Sequence, residues 1–420
     1  MGFASSYLET RVLLPEIINE APDEETAIIV VVPAYNEPGI CKLLDSLALC
    51  SEPACKVEVI IVVNAPADAT EESINNNKIT INNIESWKKT NSNCFFRLFA
   101  FTAVHAPLAE WGVGLARKSG MDEAVRRFNR IDKHDGVILN LDADCLVKEN
   151  YFISLFEELF LQKDRAACSI YFEHPLSGGD FREDIYRYIT LYELHLRYYY
   201  QGLAYSGFPY VFHTVGSAIA VKALTYVKAG GMNRRKAGED FYFIQKLVPT
   251  GGYFTLNSTT IYPSPRASAR VPFGTGASIG KLMEGGFLTL QTYNILAFKE
   301  LQSFFALIEQ FYHCNTDELQ ECYKSIPLSL SSFIDKIEWI DKMTEIKNNT
   351  SGLSSYKKRF FGWFNMFRIV KYLNWVHLEI FEKKPVDASA SELLKNIGIT
   401  FESKDPKELL LFYRAMEKSS

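Results

Sequence analysis

Gly136-Val137-Ile138-Leu139-Asn140-Leu141-Asp142-Ala143-Asp144-Cys145 is a short apolar run that ends in two acids one residue apart. Gly136 and the Lys133-His134-Asp135 cluster before it punctuate like a loop, so Val137 to Leu141 read as a buried strand. In a parallel sheet flanked by helices, ligands bind outside the carboxyl ends of the strands. Asp142 and Asp144 stand at such an end. Side chains alternate along a strand, so two residues this far apart share a face and both carboxylates are expected in one cleft. Two acids so close stay ionised only beside a cation or strong donors. A divalent metal carrying phosphate oxygens suits them, because Mg²⁺ takes one or two carboxylates and leaves its other positions to water and phosphate. The bland alternative is a solvated turn after a strand.

Outward from this stretch, Ala27 to Val32 is a continuous run typical of a central parallel strand, ending in the turn-forming loop Pro33-Ala34-Tyr35-Asn36-Glu37-Pro38. A helix follows, with Leu43, Leu44, Leu47 and Leu49 as its expected apolar face. Val57 to Val63 is a second strand, breaking at Asn64-Ala65-Pro66. The asparagine-rich segment Thr70 to Asn93 reads as a helix or insertion outside the core. Phe95 to Phe101 is a third strand, and Trp111 to Phe128 has helical spacing. Strands alternating with helices imply right-handed crossovers and a doubly wound α/β fold. Beyond Asp144, Tyr151 to Leu161 reads as helix and Ala166 to Phe172 as strand. A tyrosine-rich stretch then runs from Tyr186 to Tyr210; its rings could stack on sugars, but aromatics at helical spacing are more often core. Gly230-Gly231 is a turn, and Gly238-Glu239-Asp240 opens a helix reaching about Val248, its acids favoured by the helix dipole. Ser264 to Gly276 is a loop with Arg266 and Arg270. From about residue 277 the chain reads as helices broken near Pro327, Gly352 and Pro385.

The chain has 420 residues, ample for a large core, with 47% hydrophobic and 23% charged residues. A net charge of −5 argues against nucleic acid as the main partner. The eight cysteines are scattered without Cys-x-x-Cys pairs, which predicts free thiols rather than a zinc site or a disulfide framework. The N-terminus has no basic start followed by an apolar stretch, and no run approaches the ~20 residues of a membrane span. A cytoplasmic protein is expected.

Taken together, these pieces resemble a family 2 glycosyltransferase, a nucleotide-sugar-dependent enzyme of GT-A fold. The resemblance covers about residues 27–280. Val32-Pro33-Ala34-Tyr35-Asn36-Glu37 matches the first-strand motif whose loop holds the nucleotide base. Gly112 to Gly120 resembles the family's Gly-x-x-x-Ala-Arg-Asn-x-Gly helix start, Leu141-Asp142-Ala143-Asp144 its Asp-x-Asp motif, and Gly238-Glu239-Asp240 its acidic acceptor-side motif behind a Gly-Gly turn. Two departures stand out. Asn64 occupies the place of an acid after the second strand, and Lys118 replaces an Asn after the Arg.

The resemblance implies a GT-A type fold, α/β, with a mostly parallel Rossmann-like central sheet flanked by helices and a helical C-terminal region. Residues 1–280 would form the catalytic domain (nucleotide-binding part about 27–145, acceptor part about 146–280), and 281–420 the helical region. The implied activity moves a sugar from a nucleoside-diphosphate sugar to an acceptor hydroxyl with inversion, in polysaccharide or glycoconjugate synthesis. Asp240 would be the general base and Glu239 its support. Pro33, Tyr35, Asn36, Glu37, Asn64, Arg117, Asp142, Arg266 and Arg270 would hold the donor. Asp144, with Asp142, would hold Mg²⁺ or Mn²⁺. The acceptor would be a glycan, a lipid-linked molecule or a small molecule. Two rival readings stay open. One is a haloacid-dehalogenase-type phosphatase with Asp142 as nucleophile and Gly179 to Asp184 as its later acidic motif. The other is a non-catalytic nucleotide- or glycan-binding protein. Residues 356–382, basic and aromatic, could touch the inner face of a membrane; apolar residues all round that helix favour burial instead.

Overall fold

The computed structural model describes residues 2–66, 68–102, 112–234, 238–268, 274–286 and 289–419. The strands are β1 (Thr26–Ala34), β2 (Lys56–Val63), β3 (Phe96–Thr102), β4 (Val137–Asn140), β5 (Leu146–Val147), β6 (Ala167–Phe172), β7 (Ile219–Lys222) and β8 (Tyr253–Tyr262). They form one sheet in the order β3-β2-β1-β4-β7-β6-β8-β5. The half built from β3, β2, β1 and β4 is parallel, with Val30 opposite both Val59 and Leu139. Every residue of β1 is buried. That is why its Val and Ile run lacks alternation: both faces are covered, and each such side chain contributes roughly 1.5–3 kcal/mol when removed from water.

The other half is mixed. β7 lies antiparallel between β4 and β6, while β8 pairs parallel with β6 and antiparallel with β5. The sequence reading passed over β7 and β8. β7 is only four residues long, and β8 carries Asn257, Ser258, Thr259 and Thr260 in place of an apolar run. The whole is a mixed α/β fold of GT-A type, a large and mainly parallel sheet flanked by helices.

The helices before the last crossover are α1 (Ser5–Thr10), α2 (Cys41–Ala48), α3 (Glu71–Thr90), α4 (Val113–Arg130), α5 (Tyr151–Leu155), α6 (Glu183–Tyr205), α7 (Ala223–Lys228), α8 (Glu239–Leu247) and α9 (Thr275–Gly285). A π-helical turn, Phe156–Phe160, continues α5. Leu49 falls outside the buried face expected for α2: it caps the helix and is 75% exposed. The asparagine-rich segment is α3, capped by the Thr70 side chain, and it does reach the core, since Ile84 and Trp87 are buried. Gly120 of α4 lies against Val31 of β1, where a methyl group would collide, so helix and sheet approach closely.

Two compact units divide the chain. The first comprises residues 1–186, 214–281 and 417–420 and contains the whole eight-stranded sheet; the second comprises 187–213 and 282–416. The second unit carries most of α6 and the helices α10 (Ile295–Ala306), α11 (Ile308–His313), α12 (Thr316–Lys324), α13 (Leu328–Phe333), α14 (Lys336–Asn348), α15 (Leu353–Trp363), α16 (Met366–Glu379), α17 (Val386–Asn396) and α18 (Pro406–Lys418), the last running into residue 418. A two-residue ribbon pairs β9 (Gln291–Thr292) with β10 (Lys384–Pro385). In the tyrosine-rich stretch Tyr186, Tyr188 and Tyr198 are buried, whereas Tyr192, Tyr199, Tyr200, Tyr205 and Tyr210 are half-buried. Helices restart just after Pro327, Gly352 and Pro385. The turn between α11 and α12 brings the sulfurs of Cys314 and Cys322 together, while the other six cysteines are free. Among the described residues no helix is long and apolar enough to cross a membrane.

Candidate functional site

The acids at the end of β4 reach the cleft by another route than strand alternation. β4 stops at Asn140, and Asp142-Ala143-Asp144 is a turn closed by the Cys145 N–H donating to the Asp142 carbonyl at 3.1 Å. Leu141 still donates to the Val31 carbonyl, so the turn is held at the carboxyl ends of β1 and β4. Asn140 anchors a neighbouring segment: its Nδ2 donates to the Gly216 carbonyl at 2.6 Å.

Two guanidinium groups organise the carboxylates. Arg117, in the second turn of α4, is 4% exposed. It donates to Asp142 at 2.5 Å and to Glu239 at the start of α8. Burial works against its charge, but the facing Asp142, Glu239 and Asp240 outweigh that and raise its pKa. Gly216 makes room for this pair, because a Cβ there would strike the Arg117 guanidinium. Arg266, beyond β8, pairs through Nε with Asp144 at 2.7 Å and through Nη2 with Glu37. Its pKa is also raised, Asp144 and Glu37 overcoming burial.

Asp240 follows Glu239 in the first turn of α8, which starts from Gly238 at φ +72. Burial and the neighbouring Glu239 push its pKa up to about 6, against the pull of Arg117. Its Oδ1 accepts from the Phe241 N–H at 2.7 Å. A carboxyl group titrating there can exchange a proton near neutral pH.

The first-strand loop is braced from an unexpected direction. Pro33 sits inside β1 opposite Val62, and Tyr35 is half-buried beyond its end. Asn36 takes a left-handed conformation (φ +57); its N–H donates to Asn77 Oδ1 at 2.8 Å, and its Oδ1 accepts from Asn76 Nδ2 at 2.7 Å. Asn77 Nδ2 donates in turn to the Asn64 carbonyl at 2.8 Å, and the Asn64 N–H to the Ala34 carbonyl at 2.9 Å. One buried α3 side chain thus ties the loops after β1 and β2 together. Sequence reasoning missed Asn76, Asn77, Asn140 and Gly216. The asparagine at a strand end was a signal within reach; the others depend on long-range placement.

Lys118, the departure from the resembled motif, is turned inward. It pairs with Asp122 at 2.8 Å, and Asp122 also accepts from Tyr7 at 2.7 Å and Tyr226 at 2.8 Å. Arg270 lies outside the described residues.

No cluster of three or more His, Cys, Asp or Glu side chains able to surround a cation occurs among the described residues. The donor set nonetheless suits a hard divalent ion completed by water and phosphate. Among the described residues, the carboxylates Asp142, Asp144, Glu37, Glu239 and Asp240 outnumber the guanidinium groups Arg117 and Arg266 that pair with them.

No family model matches the chain, and no curated protein matches its sequence. Among solved structures it is similar to TarS 1-349 of S. aureus in complex with UDP-GlcNAc, at 14% identity and a TM-score of 0.40, covering 79% of this chain and 89% of that one. It is also similar to the mannosyltransferase PcManGT of Pyrobaculum calidifontis in complex with GDP-Man and Mn²⁺ (14% identity, 99% of this chain, 92% of that one, TM-score 0.38). Glucosyl-3-phosphoglycerate synthase of Mycobacterium tuberculosis in complex with UDP matches at 13% identity over 66% of this chain and 91% of that one, with a TM-score of 0.36. At these values the likenesses carry no argument about function, which is drawn below from the site itself.

Proposed function

We propose that this chain is a nucleotide-sugar-dependent glycosyltransferase that transfers a sugar to an acceptor hydroxyl by single displacement with inversion. The observation that carries the reading is the pairing of two kinds of acid at the carboxyl ends of β1 and β4. Asp142 and Asp144 form a turn faced by Arg117 and Arg266, and Asp240 is a half-buried carboxyl group whose pKa lies near 6. The first set suits a diphosphate and its cation; the second suits a base.

Asp144 and Asp142 would hold Mg²⁺ or Mn²⁺, which when bound offsets charge developing on the leaving diphosphate. Arg266 would turn from Asp144 and Glu37 toward phosphate oxygens, which its planar fork matches. Arg117 fixes Asp142 and Glu239 in one arrangement, keeping the two sides of the cleft in register. Asp240, as carboxylate, would accept the proton of the attacking hydroxyl, and Glu239 would hold the helix start behind it. A glycan, lipid-linked or small-molecule acceptor would fit this chemistry, in polysaccharide or glycoconjugate synthesis.

The phosphatase alternative draws no support from its second acidic motif. Asp180 makes an exposed ion pair with Lys42, and Asp184 pairs with Arg182. Calorimetric titration of a panel of nucleoside diphosphates and nucleotide sugars, with and without Mn²⁺, tests the reading. Binding of one nucleotide that requires the ion and is abolished in Asp144→Ala is expected. If no nucleotide binds under either condition, the reading fails.

A further inference from the structure

Within the second unit, the helices α15 and α16 separate their residues sharply by chemistry. Tyr356, Phe360, Phe361, Phe364, Met366, Ile369, Tyr372, Leu373 and Val376 are buried, which accounts for the apolar residues found all round the sequence. What remains outside is mostly basic and polar, with one exposed acid, Glu379, at the last residue of α16. From Leu353 to His377 the chain contains Lys357, Lys358, Arg359, Arg368 and Lys371 and no acid, within a protein whose net charge is −5. Lys357, Lys358, Arg359 and Lys371 are exposed. Lys358, Arg359 and Lys371 make no ion pair among the described residues. The acids that face this pair of helices from elsewhere are Glu309, 3.9 Å from Lys357, and Glu338, 2.7 Å from Arg368.

The outward side of α16 reads Phe367, Lys371, Trp375, Leu378, at the spacing of one helix face. Leu378 is 83% exposed. Trp375 packs its ring 5.5 Å from Phe333 at the end of α13, and the residues bracketing Phe333 are Leu328 and Ile337, 79% and 70% exposed. Arg368 lies over the half-buried Trp363 ring at 4.6 Å, joining α15 to α16. Exposed Leu378 beside half-buried Trp375 on one face of α16, with Lys358, Arg359 and Lys371 outside any ion pair among the described residues, matches the boundary between lipid headgroups and acyl chains.

We propose that this surface of α13, the start of α14, α15 and α16 is a peripheral docking site for an anionic lipid bilayer. Lys357, Lys358, Arg359 and Lys371 supply attraction to acidic headgroups, and Leu328, Ile337 and Leu378 enter the interface. The two components act together, since neither a few charges nor a few apolar side chains alone hold a protein at a bilayer. The inference does not depend on the proposed transferase activity.

Vesicle flotation of the full chain tests it, comparing pure phosphatidylcholine with phosphatidylcholine containing about one third phosphatidylglycerol. The protein is expected to float with the anionic vesicles only, and to be released by salt. Lys358→Gln/Arg359→Gln/Lys371→Gln should lower the partition coefficient by on the order of a hundredfold, roughly fivefold for each charge removed. Leu328→Ser/Leu378→Ser should weaken binding while leaving its salt dependence in place. All five positions are exposed, and thermal denaturation checks that both variants fold. No flotation of the wild type, flotation indifferent to lipid charge, or retention on duplex nucleic acid with none on vesicles would each overturn the proposal.

Discussion

Asp240 has two opposite dependences on pH. As a base it must be ionised, so the transfer rate should rise with pH through about 6 and level off above it. Asp240→Asn should remove that limb and lower kcat by roughly 10² to 10⁴-fold. Stability runs the other way. The folded pKa is raised above the ordinary 3.8, so the favourable contribution is present below that value and lost as pH rises through about 6. Asp240→Asn should therefore melt higher than wild type above that range and no higher in acid, a contrast that calorimetry against pH reads directly. Arg117 sits at the other extreme. Removing a buried guanidinium that holds two carboxylates leaves them facing each other, and Arg117→Ala should cost about 3–5 kcal/mol in urea unfolding. No change in stability would mean that the acids find other partners.

At the level of elements, the N-terminal segment is fastened along α4, the helix that carries Arg117. Glu123 accepts from the N–H groups of Ile17 and Ile18, Arg127 donates to the Glu20 carbonyl, and Tyr7 of α1 reaches the buried Lys118–Asp122 pair. Gly231, at φ +75, lies where a side chain would collide with the Tyr7 hydroxyl. The same cluster explains why a lysine can stand at 118: it neutralises Asp122, whose pKa burial raises. Lys118→Asn alone should destabilise by about 3 kcal/mol because it strands a buried carboxylate, and adding Asp122→Asn should recover most of that loss. A double-mutant cycle in urea measures the recovery; additive losses would deny the pairing.

At the scale of the whole molecule, the second unit is assembled from two separated pieces of chain. Buried Glu193 of α6 holds Arg197 of its own helix and Arg414 of α18 at 2.6–2.8 Å, and the Tyr198 hydroxyl donates to the Tyr293 carbonyl. A fragment of residues 282–416 would leave Arg414 without its carboxylate and expose the apolar surface that covers α6. It is expected to lack cooperative unfolding and sharp amide dispersion by NMR. A well-dispersed spectrum from that fragment would show that α6 is dispensable to the unit.

The sequence by itself determined the parallel half of the sheet and the helix start at Glu239. β1, β2 and β4 are covered on both faces, and strands so placed must be built from unbroken Val, Ile and Leu, which is a local signal. Gly-Gly turns and helix starts are local in the same sense; Gly230 and Gly231 indeed take positive φ. β7 and β8 escaped because a four-residue strand and a threonine-rich one acquire their meaning only from neighbours far along the chain. Only the tertiary structure decided which charge meets which. Arg117 is 25 residues from Asp142 and 122 from Glu239, and Arg266 is 229 from Glu37. A side chain's type fixes its capacity to donate or ionise, whereas its partner, burial and pKa follow from the field of everything folded around it.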